Sequence, residues 1–559
     1  MRVAGLAMAL AVLAFVSAAT AAETPAASAA AALKVAAPGG IEFTVTADGL
    51  AGIRVGDREV AKGGWRAVNA DGRFKAGTGK VRIEKIVEKS IQIDSPRQAR
   101  VRHVYEDAVA TFDYTFEGED VTIRARVENH SPDAAIAVTG FTGLAFTFNG
   151  PPKGQMPGWH VSYLQHQGTK ICHPSYWVRA GGSYATDDRF GVGLTPQKTG
   201  LARTLFHWDR NWGIQKGEED PGPRTLAYLV PAEVPPGGAR TFQMLLRVST
   251  NTDWHHLLEP YKAHFLATFG PLAYKPDHRA MVYFASSADV WVKPDNPFGF
   301  NGPNRRFDLP EGAKAFCDWV VPAMKEADAN GVIFWALQGH EPRGAIYRPD
   351  FEIFPPPIEA NLPVLNREFT AAGLRWGVCT RPGEIAYRLN WAKDATLRIN
   401  PDDPEHIEMM WARFKTMIEK GGRVFYLDTF GNSLEDVKAM RIFRERMGPD
   451  IQAFVEHQSD AIVPYAGAYT EVNYDEKTRT YRSLVGEWNW EFFRWLVGNP
   501  QVVANPRCQA RPAGSEESVY RWTFRHRMTP LVEDWLIGKA AAELKTLRAE
   551  FLDTPDRWK

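Results

Sequence analysis

The first half of the chain alternates apolar and polar residues in short runs. Residues 40–46, 80–86 and 121–128 each alternate with a period of two, which is typical of strands that bury one face. Turn-forming residues separate the runs, and no long helical pattern appears before residue 250. The pattern therefore predicts a β-sandwich of two antiparallel sheets over residues 40–250.

A helical pattern begins at residue 252 and connects this domain to the next. We predict a linker helix within residues 251–275 that packs one domain on the other. Its apolar residues recur at helical spacing: Trp254, Leu257, Leu258, Tyr261, Phe265 and Leu266.

From residue 276 to residue 559, short apolar runs alternate with amphipathic helices. The runs predict parallel strands buried on both faces and joined by crossover helices. The predicted strands lie at residues 280–285, 331–337, 374–379, 423–427, 451–455, 468–472 and 501–504. The predicted helices lie at residues 312–329, 362–372, 404–420, 434–447, 482–497, 516–538 and 540–552. About eight such units in this length favour a (β/α)8 barrel. A doubly wound sheet is the alternative, but no glycine-rich phosphate loop follows the first strand.

The first 22 residues have the pattern of a signal peptide. Met1-Arg2 gives a positive start, residues 6–16 are apolar, and small residues at 18–22 offer cleavage sites. The apolar run is shorter than the ~20 residues that a membrane-spanning helix needs. We therefore predict export to the periplasm or the medium and no membrane insertion after signal cleavage. Residues 23–39 are predicted to form a flexible leader.

Charge and motif content exclude several classes of function. The 66 basic and 66 acidic residues leave no formal net charge, so we expect no nucleic-acid partner. No GxSxG motif is present, which argues against a serine nucleophile. The four cysteines form no CxxC pair, and Cys379 and Cys508 are predicted to be buried thiols in barrel strands.

Candidate catalytic residues follow the apolar strands, because barrels of this kind carry their active sites at the carboxyl ends of the strands. Asp428 follows the fourth strand and Glu456 the fifth, so the two carboxylates are expected to lie across one cleft. Glycoside hydrolysis uses two such carboxylates. We predict Asp428 as nucleophile and Glu456 as acid/base, with Glu471 and Asp460 as alternatives for the acid/base role.

Further polar and aromatic residues near the strand ends are predicted to bind an oligo- or polysaccharide substrate. Arg381 is expected to bind a sugar hydroxyl or a substrate carboxylate, to orient Asp428, or to pair with Glu384. No cofactor or metal is expected, and the oligomeric state is left open. The predicted substrate-binding residues are Trp335, His340, Glu341, Arg381, Glu384, Asn432, His457, Asp460, Asn505 and Arg507.

Two stretches of the predicted barrel resemble known glycoside hydrolases. Residues 423–428, Arg-Val-Phe-Tyr-Leu-Asp, are similar to strand four of the α-galactosidase and α-glucosidase clans, and residues 373–378 resemble their strand three. The resemblance implies a β-sandwich before a (β/α)8 barrel, an aspartate nucleophile at Asp428, an α-linked substrate and a retaining mechanism. Those clans place the acid/base on strand six, which implies Glu471. The α-amylase clan pairs strand four with a strand-five glutamate, which implies Glu456.

Two other functions remain open from the sequence. A metal-dependent barrel hydrolase or isomerase would take ligands from His340, Glu341, Asp428, Glu456 and His457, although no HxH or HExxH motif is present. A carbohydrate-binding protein with an inactive barrel would bind sugar without turnover. Bound metal in stoichiometric amount would favour the first, and binding without hydrolysis would favour the second.

Overall fold

Two compact units make up the described chain, with the main boundary between Thr268 and Phe269. Val178 is grouped with the second unit. The computed structural model describes residues 31–69, 85–149, 178–179, 182–197, 203–208, 224–302, 305–339, 351–386, 396–431, 433–483 and 487–554.

The first unit consists mainly of antiparallel strands in two seven-stranded sheets. One sheet has the order β1-β2-β3-β4-β9-β14-β13 and the other has the order β11-β12-β15-β8-β7-β6-β5. The strands of this part of the chain are β1 Leu33–Ala37, β2 Ile41–Thr46, β3 Gly49–Val55, β4 Arg58–Asn69, β5 Glu88–Ser95, β6 Gln98–Val104, β7 Ala108–Glu117, β8 Asp120–Asn129, β9 Ile136–Phe146, β10 Val178–Arg179, β11 Ser183–Thr186, β12 Gly191–Pro196, β13 Arg203–Trp208, β14 Arg224–Val234 and β15 Ala239–Ser249.

The two sheets share one hydrophobic core, which makes the unit a sandwich. Phe141 of one sheet meets Phe112 of the other edge to face, with ring centroids 6.0 Å apart. The predicted sandwich is thus confirmed, and the runs at 40–46 and 121–128 are strands. Strand β1 lies inside the segment assigned to a flexible leader, so the folded part begins before residue 40. Residues 1–30, with the predicted signal peptide, and most of the run at 80–86 lie outside the described residues.

The predicted linker helix is present as α1, Trp254–Phe269. It buries Leu257, Leu258, Tyr261 and Phe265, the apolar face that the spacing predicted. Strand β12 comes so close that a Cβ added at Gly193 would lie 2.2 Å from the Leu257 carbonyl oxygen. The helix therefore packs against the second sheet of its own unit. Its predicted role between the domains stays a prediction.

The second unit is a closed barrel of eight parallel strands. Each barrel strand pairs in parallel with the next, and the last, β27, pairs with the first, β16. The barrel strands are β16 Met281–Ala285, β17 Gly331–Trp335, β18 Arg375–Thr380, β21 Val424–Leu427, β22 Gln452–Val455, β24 Gly467–Asp475, β26 Val502–Pro506 and β27 Thr529–Glu533. The closed sheet confirms the predicted barrel and rules out the doubly wound alternative.

Helices and short strands fill the connections between the barrel strands. Strands β19 and β20 form a hairpin after β18, and β25 pairs with the end of β24. The short strands are β19 Glu384–Ala386, β20 Thr396–Arg398, β23 Gln458–Ser459 and β25 Thr480–Ser483. The helices are α2 Gly312–Glu326, α3 Pro356–Glu359, α4 Leu362–Ala371, α5 Pro404–Glu419, α6 Leu434–Met447, α7 Glu487–Val497, α8 Val519–Arg525 and α9 Asp534–Phe551.

The eighth strand lies where the sequence pattern predicted a helix over residues 516–538, and that prediction is wrong. This stretch holds the short helix α8, then β27, then the start of α9. Pro530 stands inside it, and a proline in a helix interior removes a backbone hydrogen bond and clashes with the preceding turn. Thr529 and Val532 are β-branched residues that suit a strand. The predicted helix at 540–552 is the second part of α9.

Three cysteines lie in the described part of the second unit, as free thiols. Cys379 is buried in β18, as predicted, and burial raises the pKa of its thiol well above the usual range. Cys508 lies two residues beyond β26 and is only partly buried, so its predicted place in a strand is wrong. None of the described helices combines the length and the apolar character that crossing a membrane requires.

Gly377→Ala is expected to destabilise the barrel by about 3 kcal/mol, because overpacking a tight contact forces the backbone apart. A Cβ at Gly377 would lie 1.6 Å from the carbonyl oxygen of Val424 on the neighbouring strand β21. The effect is measured by the thermal unfolding of Gly377→Ala and of a control variant. Gly538→Ala is the matched control, since that helical glycine has no atom within 4 Å of its added Cβ. Equal unfolding temperatures would contradict the expectation.

Candidate active site

Six consecutive barrel strands direct a polar side chain into the barrel near their carboxyl ends. The buried interior layer includes one residue from each of these strands: Cys379, Tyr426, Phe454, Tyr469, Val503 and Leu531. Alternate residues of a strand face the same side, so the residue two positions later also faces inward. Those positions are Arg381, Asp428, Glu456, Glu471, Asn505 and Glu533. We call these six residues the polar ring.

The backbone ladder continues past the ends of β21 and β22, and it holds Asp428 and Glu456 in register. The Asp428 N–H donates to the Thr380 carbonyl oxygen at 2.8 Å, and the Glu456 N–H donates to the Leu427 carbonyl oxygen at 3.0 Å. These two ring members are therefore fixed by the barrel sheet. Five of its six members were predicted from the sequence.

Asp428 is buried and held by an arginine from the preceding barrel strand. Arg381 Nε donates to Asp428 Oδ2 at 3.0 Å, while Arg381 Nη1 lies 3.9 Å from Glu384 Oε2. Arg381 thus makes both of the protein contacts that the sequence offered as alternatives. A charge-assisted hydrogen bond of this kind fixes the direction in which a carboxylate oxygen points.

Glu456 lies directly against Asp428 and not across a cleft from it. Burial, followed by a hydrogen bond with the Glu456 side chain and its negative charge, raises the pKa of Asp428 to about 9. The Thr429 N–H donates to Glu456 Oε2 at 2.8 Å, from a backbone with φ of 52° that is unusual for a β-branched residue. At neutral pH the Asp428 carboxyl therefore keeps its proton, because a second negative charge beside Glu456 would be costly to bury.

Glu471 forms a separate ion pair two strands further around the barrel from Asp428. Arg507 Nη2 and Nε donate to Glu471 Oε1 at 2.5 and 2.8 Å. The Glu471 side chain is 27% exposed, whereas the Asp428 side chain is 8% exposed and that of Glu456 is 17% exposed. Of the three predicted catalytic carboxylates, Glu471 is therefore the one most open to a ligand.

Aromatic side chains form a floor across the barrel below the polar ring. Tyr283 meets Trp335 with centroids 4.6 Å apart, and Trp335 meets Tyr426 at 4.5 Å. Tyr426 in turn meets Tyr469 at 4.9 Å. Trp335, predicted either as a subsite or as barrel core, belongs to this floor. Burial raises the pKa of the Tyr283, Tyr426 and Tyr469 hydroxyls above the usual range, so all three stay neutral.

The remaining predicted site residues lie at different distances from the ring. His457 is buried, and its Nε2 lies 3.5 Å from Glu456 Oε2. Asp460 is buried in the short 3-10 helix Asp460–Ile462, where its Oδ1 accepts a hydrogen bond from the Ala461 N–H at 2.8 Å. Asn505 donates to the Tyr469 hydroxyl at 2.8 Å. The predicted residues His340, Glu341 and Asn432 lie outside the described residues.

Glu533 is the ring member that the sequence analysis missed, because it ends the strand that was taken for helix. Burial and the neighbouring Asp534 raise the pKa of the Glu533 carboxyl to about 7, although Arg507 and Arg305 oppose the shift. Arg305 Nη2 lies 2.7 Å from Asp534 Oδ2. The sequence signal that reveals Glu533 is the apolar run of residues 528–532 around Pro530, which ends at this glutamate.

Within the described ranges, no group of three or more histidine, cysteine, aspartate or glutamate side chains is arranged to hold a metal ion. Two of the ligands in the metal-dependent alternative, His340 and Glu341, are outside those ranges. The described candidates for that metal site are Asp428, Glu456 and His457. The Glu456 side chain contacts both of the others, through a hydrogen bond with Asp428 and at 3.5 Å from His457 Nε2. The ring favours acid–base and nucleophilic chemistry by carboxylates.

Comparison with known proteins identifies the fold. No family model matches the chain, and no curated protein matches its sequence. A quadruple mutant of an α-N-acetylgalactosaminidase from Bifidobacterium bifidum is 10% identical, with a TM-score of 0.58 over 92% of this chain and 93% of that one. A GH31 family sulfoquinovosidase from E. rectale, in complex with an aza-sugar inhibitor, is 12% identical, with a TM-score of 0.53 over 90% of this chain and 82% of that one.

A GH36 α-galactosidase from Geobacillus stearothermophilus, in complex with stachyose, is 10% identical, with a TM-score of 0.46 over 88% of this chain and 74% of that one. The likeness to the α-N-acetylgalactosaminidase and the sulfoquinovosidase extends over almost the whole chain. It shows that the chain shares their fold. The architecture that the sequence resemblance implied, a β-sandwich before a (β/α)8 barrel, is confirmed.

Proposed function

We propose that this protein is a glycoside hydrolase that works with carboxylates of the polar ring. The observation that carries the proposal is the inward placement of Asp428 and Glu471 on the fourth and sixth barrel strands, above an aromatic floor. Glycosidases need a pair of carboxylates around a sugar ring, and aromatic surfaces suit the apolar faces of sugars. An α-N-acetylgalactosaminidase and a sulfoquinovosidase share the fold.

Asp428 is the proposed nucleophile at the anomeric carbon. It stands at the end of a buried strand, and Arg381 orients one of its oxygens. To attack, its carboxyl must first lose its proton, because burial and Glu456 raise its pKa to about 9. The positive charge of Arg381 then stabilises the ionised form.

Glu471 is the better candidate for the acid/base, because Glu456 lies too close to the nucleophile. Carboxylates that act on the two sides of a glycosidic bond in retaining enzymes stand about 5–5.5 Å apart. A direct hydrogen bond brings two carboxyl oxygens within about 3 Å, which leaves no room for a sugar between them. Glu471 stands two strands away and is more exposed. Glu456 then serves to position Asp428 and to set its protonation.

A neutral sugar in an α-linked oligo- or polysaccharide is the proposed substrate, cleaved with retention. Arg381 pairs with Asp428 and Arg507 pairs with Glu471, so the guanidinium groups of these two arginines are engaged by carboxylates. An acidic sugar would have to displace one of these pairs. The α-linkage and the retaining mechanism are proposed on the sequence resemblance, and the fold shared with the α-N-acetylgalactosaminidase supports the proposal of an α-linked substrate.

Export is proposed on the sequence pattern of residues 1–22. An exported location gives the enzyme access to polysaccharides outside the cell membrane. Fractionation of cells that express the full chain, with sequencing of the mature N-terminus, checks this proposal. Cleavage after one of the small residues at 18–22 is the expected result, and an intact N-terminus in the cytoplasm would contradict it.

Hydrolysis of a panel of paired aryl α- and β-glycosides tests the proposed function. We expect cleavage of at least one α-glycoside, with the α-anomer as first product by proton NMR, since two displacements retain configuration. Dialysis against a chelator should leave the rate unchanged. Loss of activity on chelation would favour the metal-dependent alternative. Sugar binding without any hydrolysis, measured by calorimetry, would favour a binding protein and would overturn the proposal.

A further inference from the structure

Glu533 lies on the wall of the barrel opposite Asp428. Asp428 follows the fourth of the eight strands and Glu533 ends the eighth, so half of the closed sheet separates them on either side. Strand register pairs Glu533 with Tyr283 on β16. Tyr283 packs on Trp335 inside the barrel, and paired residues of parallel strands face the same way. The Glu533 carboxyl therefore points into the barrel interior, beside the Tyr283 end of the aromatic floor.

This wall carries buried polar atoms that have no hydrogen-bond partner. Glu533 Oε2 and Asn505 Oδ1, on the neighbouring strands β27 and β26, are both buried and unpaired. Asn505 is 3% exposed, and its amide nitrogen is already engaged by Tyr469. Buried polar groups in native proteins are nearly always paired, so unpaired ones that face a site indicate a missing ligand.

The charges around Glu533 suit a neutral ligand group. Arg507, one residue beyond β26, is engaged by Glu471 through two of its nitrogens. Arg305 is engaged by Asp534, the residue that follows Glu533. Close to neutrality the Glu533 carboxyl is partly protonated, and in either form it can exchange a hydrogen bond with a hydroxyl group.

We propose that Glu533, with Asn505 beside it, binds a ring hydroxyl of the sugar whose anomeric carbon faces Asp428. This inference rests on the proposed function and adds a substrate-binding residue to it. The sugar then spans the barrel, with its reacting carbon on the side of strands β21 and β24 and a hydroxyl on the side of β26 and β27. The ligand is a neutral pyranoside that carries a free hydroxyl at that position.

The proposal is tested by measuring whether the effects of removing Glu533 and of removing one sugar hydroxyl depend on each other. The probes are the aryl glycoside that the wild type cleaves fastest and its monodeoxy analogues, one for each ring hydroxyl. Glu533→Ala is expected to lower kcat/KM for the parent glycoside by about 10- to 1000-fold, because a site built to bind a hydroxyl loses that much when the contact is removed. For the wild type, one deoxy analogue should have a kcat/KM lower than that of the parent glycoside by a similar factor. For Glu533→Ala, the same analogue should lower kcat/KM by less than about threefold.

Two further variants keep the result interpretable. Glu533→Gln preserves shape and hydrogen bonding, so it should recover part of the loss and still discriminate between parent and deoxy sugars. It also carries the test if Glu533→Ala does not fold. Glu476→Gln, at the exposed tip of the β24–β25 hairpin, is the matched control and should match the wild type.

The outcomes separate this inference from the proposed function. Turnover by the wild type with equal deoxy penalties in wild type and Glu533 variants would remove Glu533 from the site and leave the glycosidase intact. Absence of turnover by the wild type on every glycoside would overturn the proposed function and this inference together. If the wild type loses kcat/KM with only one deoxy analogue, and Glu533→Ala does not show this loss, the result would support both the proposed function and this inference.

Discussion

Asp428→Asn is expected to lower kcat/KM by at least about a thousandfold while the protein remains folded. An amide cannot form the covalent glycosyl intermediate, and the loss of a nucleophile typically removes most of the rate acceleration. The amide still accepts a hydrogen bond from Arg381, so the local geometry should persist. Steady-state kinetics on the best aryl glycoside measures the loss.

The same substitution should raise stability at neutral and alkaline pH. The folded pKa of Asp428 lies above its unfolded value, so the folded state binds the extra proton. Stability from this group is therefore complete below the unfolded pKa, near 4, and is lost as pH rises toward the folded pKa. Asparagine carries no such penalty. The unfolding temperature of Asp428→Asn should exceed that of the wild type at pH 8 and approach it near pH 4.

Asp450→Asn is the control for both measurements, because that aspartate is exposed on the loop before β22 and forms a surface ion pair with Lys275. It should change neither the rate nor the unfolding temperature measurably. Wild-type activity in Asp428→Asn would exclude Asp428 as nucleophile. A large loss of rate together with a lower unfolding temperature at every pH would instead indicate that Asp428 only supports the fold.

Glu471→Gln is expected to lose about 100- to 10,000-fold in kcat on glycosides with poor leaving groups and much less on activated aryl glycosides. A general acid matters most when the departing oxygen needs a proton, and general acid catalysis contributes about that factor. If Glu471 had a purely structural role, the loss of kcat would be similar for poor and for activated leaving groups. The ratio of the two losses therefore distinguishes an acid from a structural residue. A small nucleophilic anion such as azide should restore part of the activity.

Glu456→Gln is expected to behave differently, since it acts through Asp428. Replacing the Glu456 carboxyl lowers the pKa of Asp428, because the neighbouring negative charge that raises this pKa is gone. The activity of the wild type should fall as pH drops and Asp428 takes up its proton. In Glu456→Gln this acidic limb of kcat/KM should move to lower pH, with no dependence on the leaving group.

These two variants decide which carboxylate is the acid/base. Leaving-group dependence and azide rescue in Glu456→Gln, with a normal response in Glu471→Gln, would reverse the two roles. Arg507→Lys is a useful companion, because it should weaken the two-nitrogen contact with Glu471 and keep the positive charge. Its kcat should fall less than that of Glu471→Gln.

Local sequence pattern was enough to identify most of the elements. Alternation over residues 121–128 predicted β8, and seven apolar runs predicted seven barrel strands, because burial of one or both faces leaves a period that can be counted. The eighth strand was missed since its apolar run is flanked closely by two helices, and the combined pattern resembles one long helix. Pro530 was the local signal against that interpretation.

The candidate site divides in the same way. The apolar runs alone placed Asp428, Glu456, Glu471, Asn505 and Arg381 at or near the ends of buried strands, and a barrel brings such positions together. Which of these side chains touch could be seen only in the folded barrel: Asp428 contacts Glu456 and Arg381, and Glu471 contacts Arg507. Those contacts depend on strand register and barrel closure, which join segments far apart in the chain. The same closure brings Glu533 into the ring, so its place there could be recognised only once the eighth strand was known.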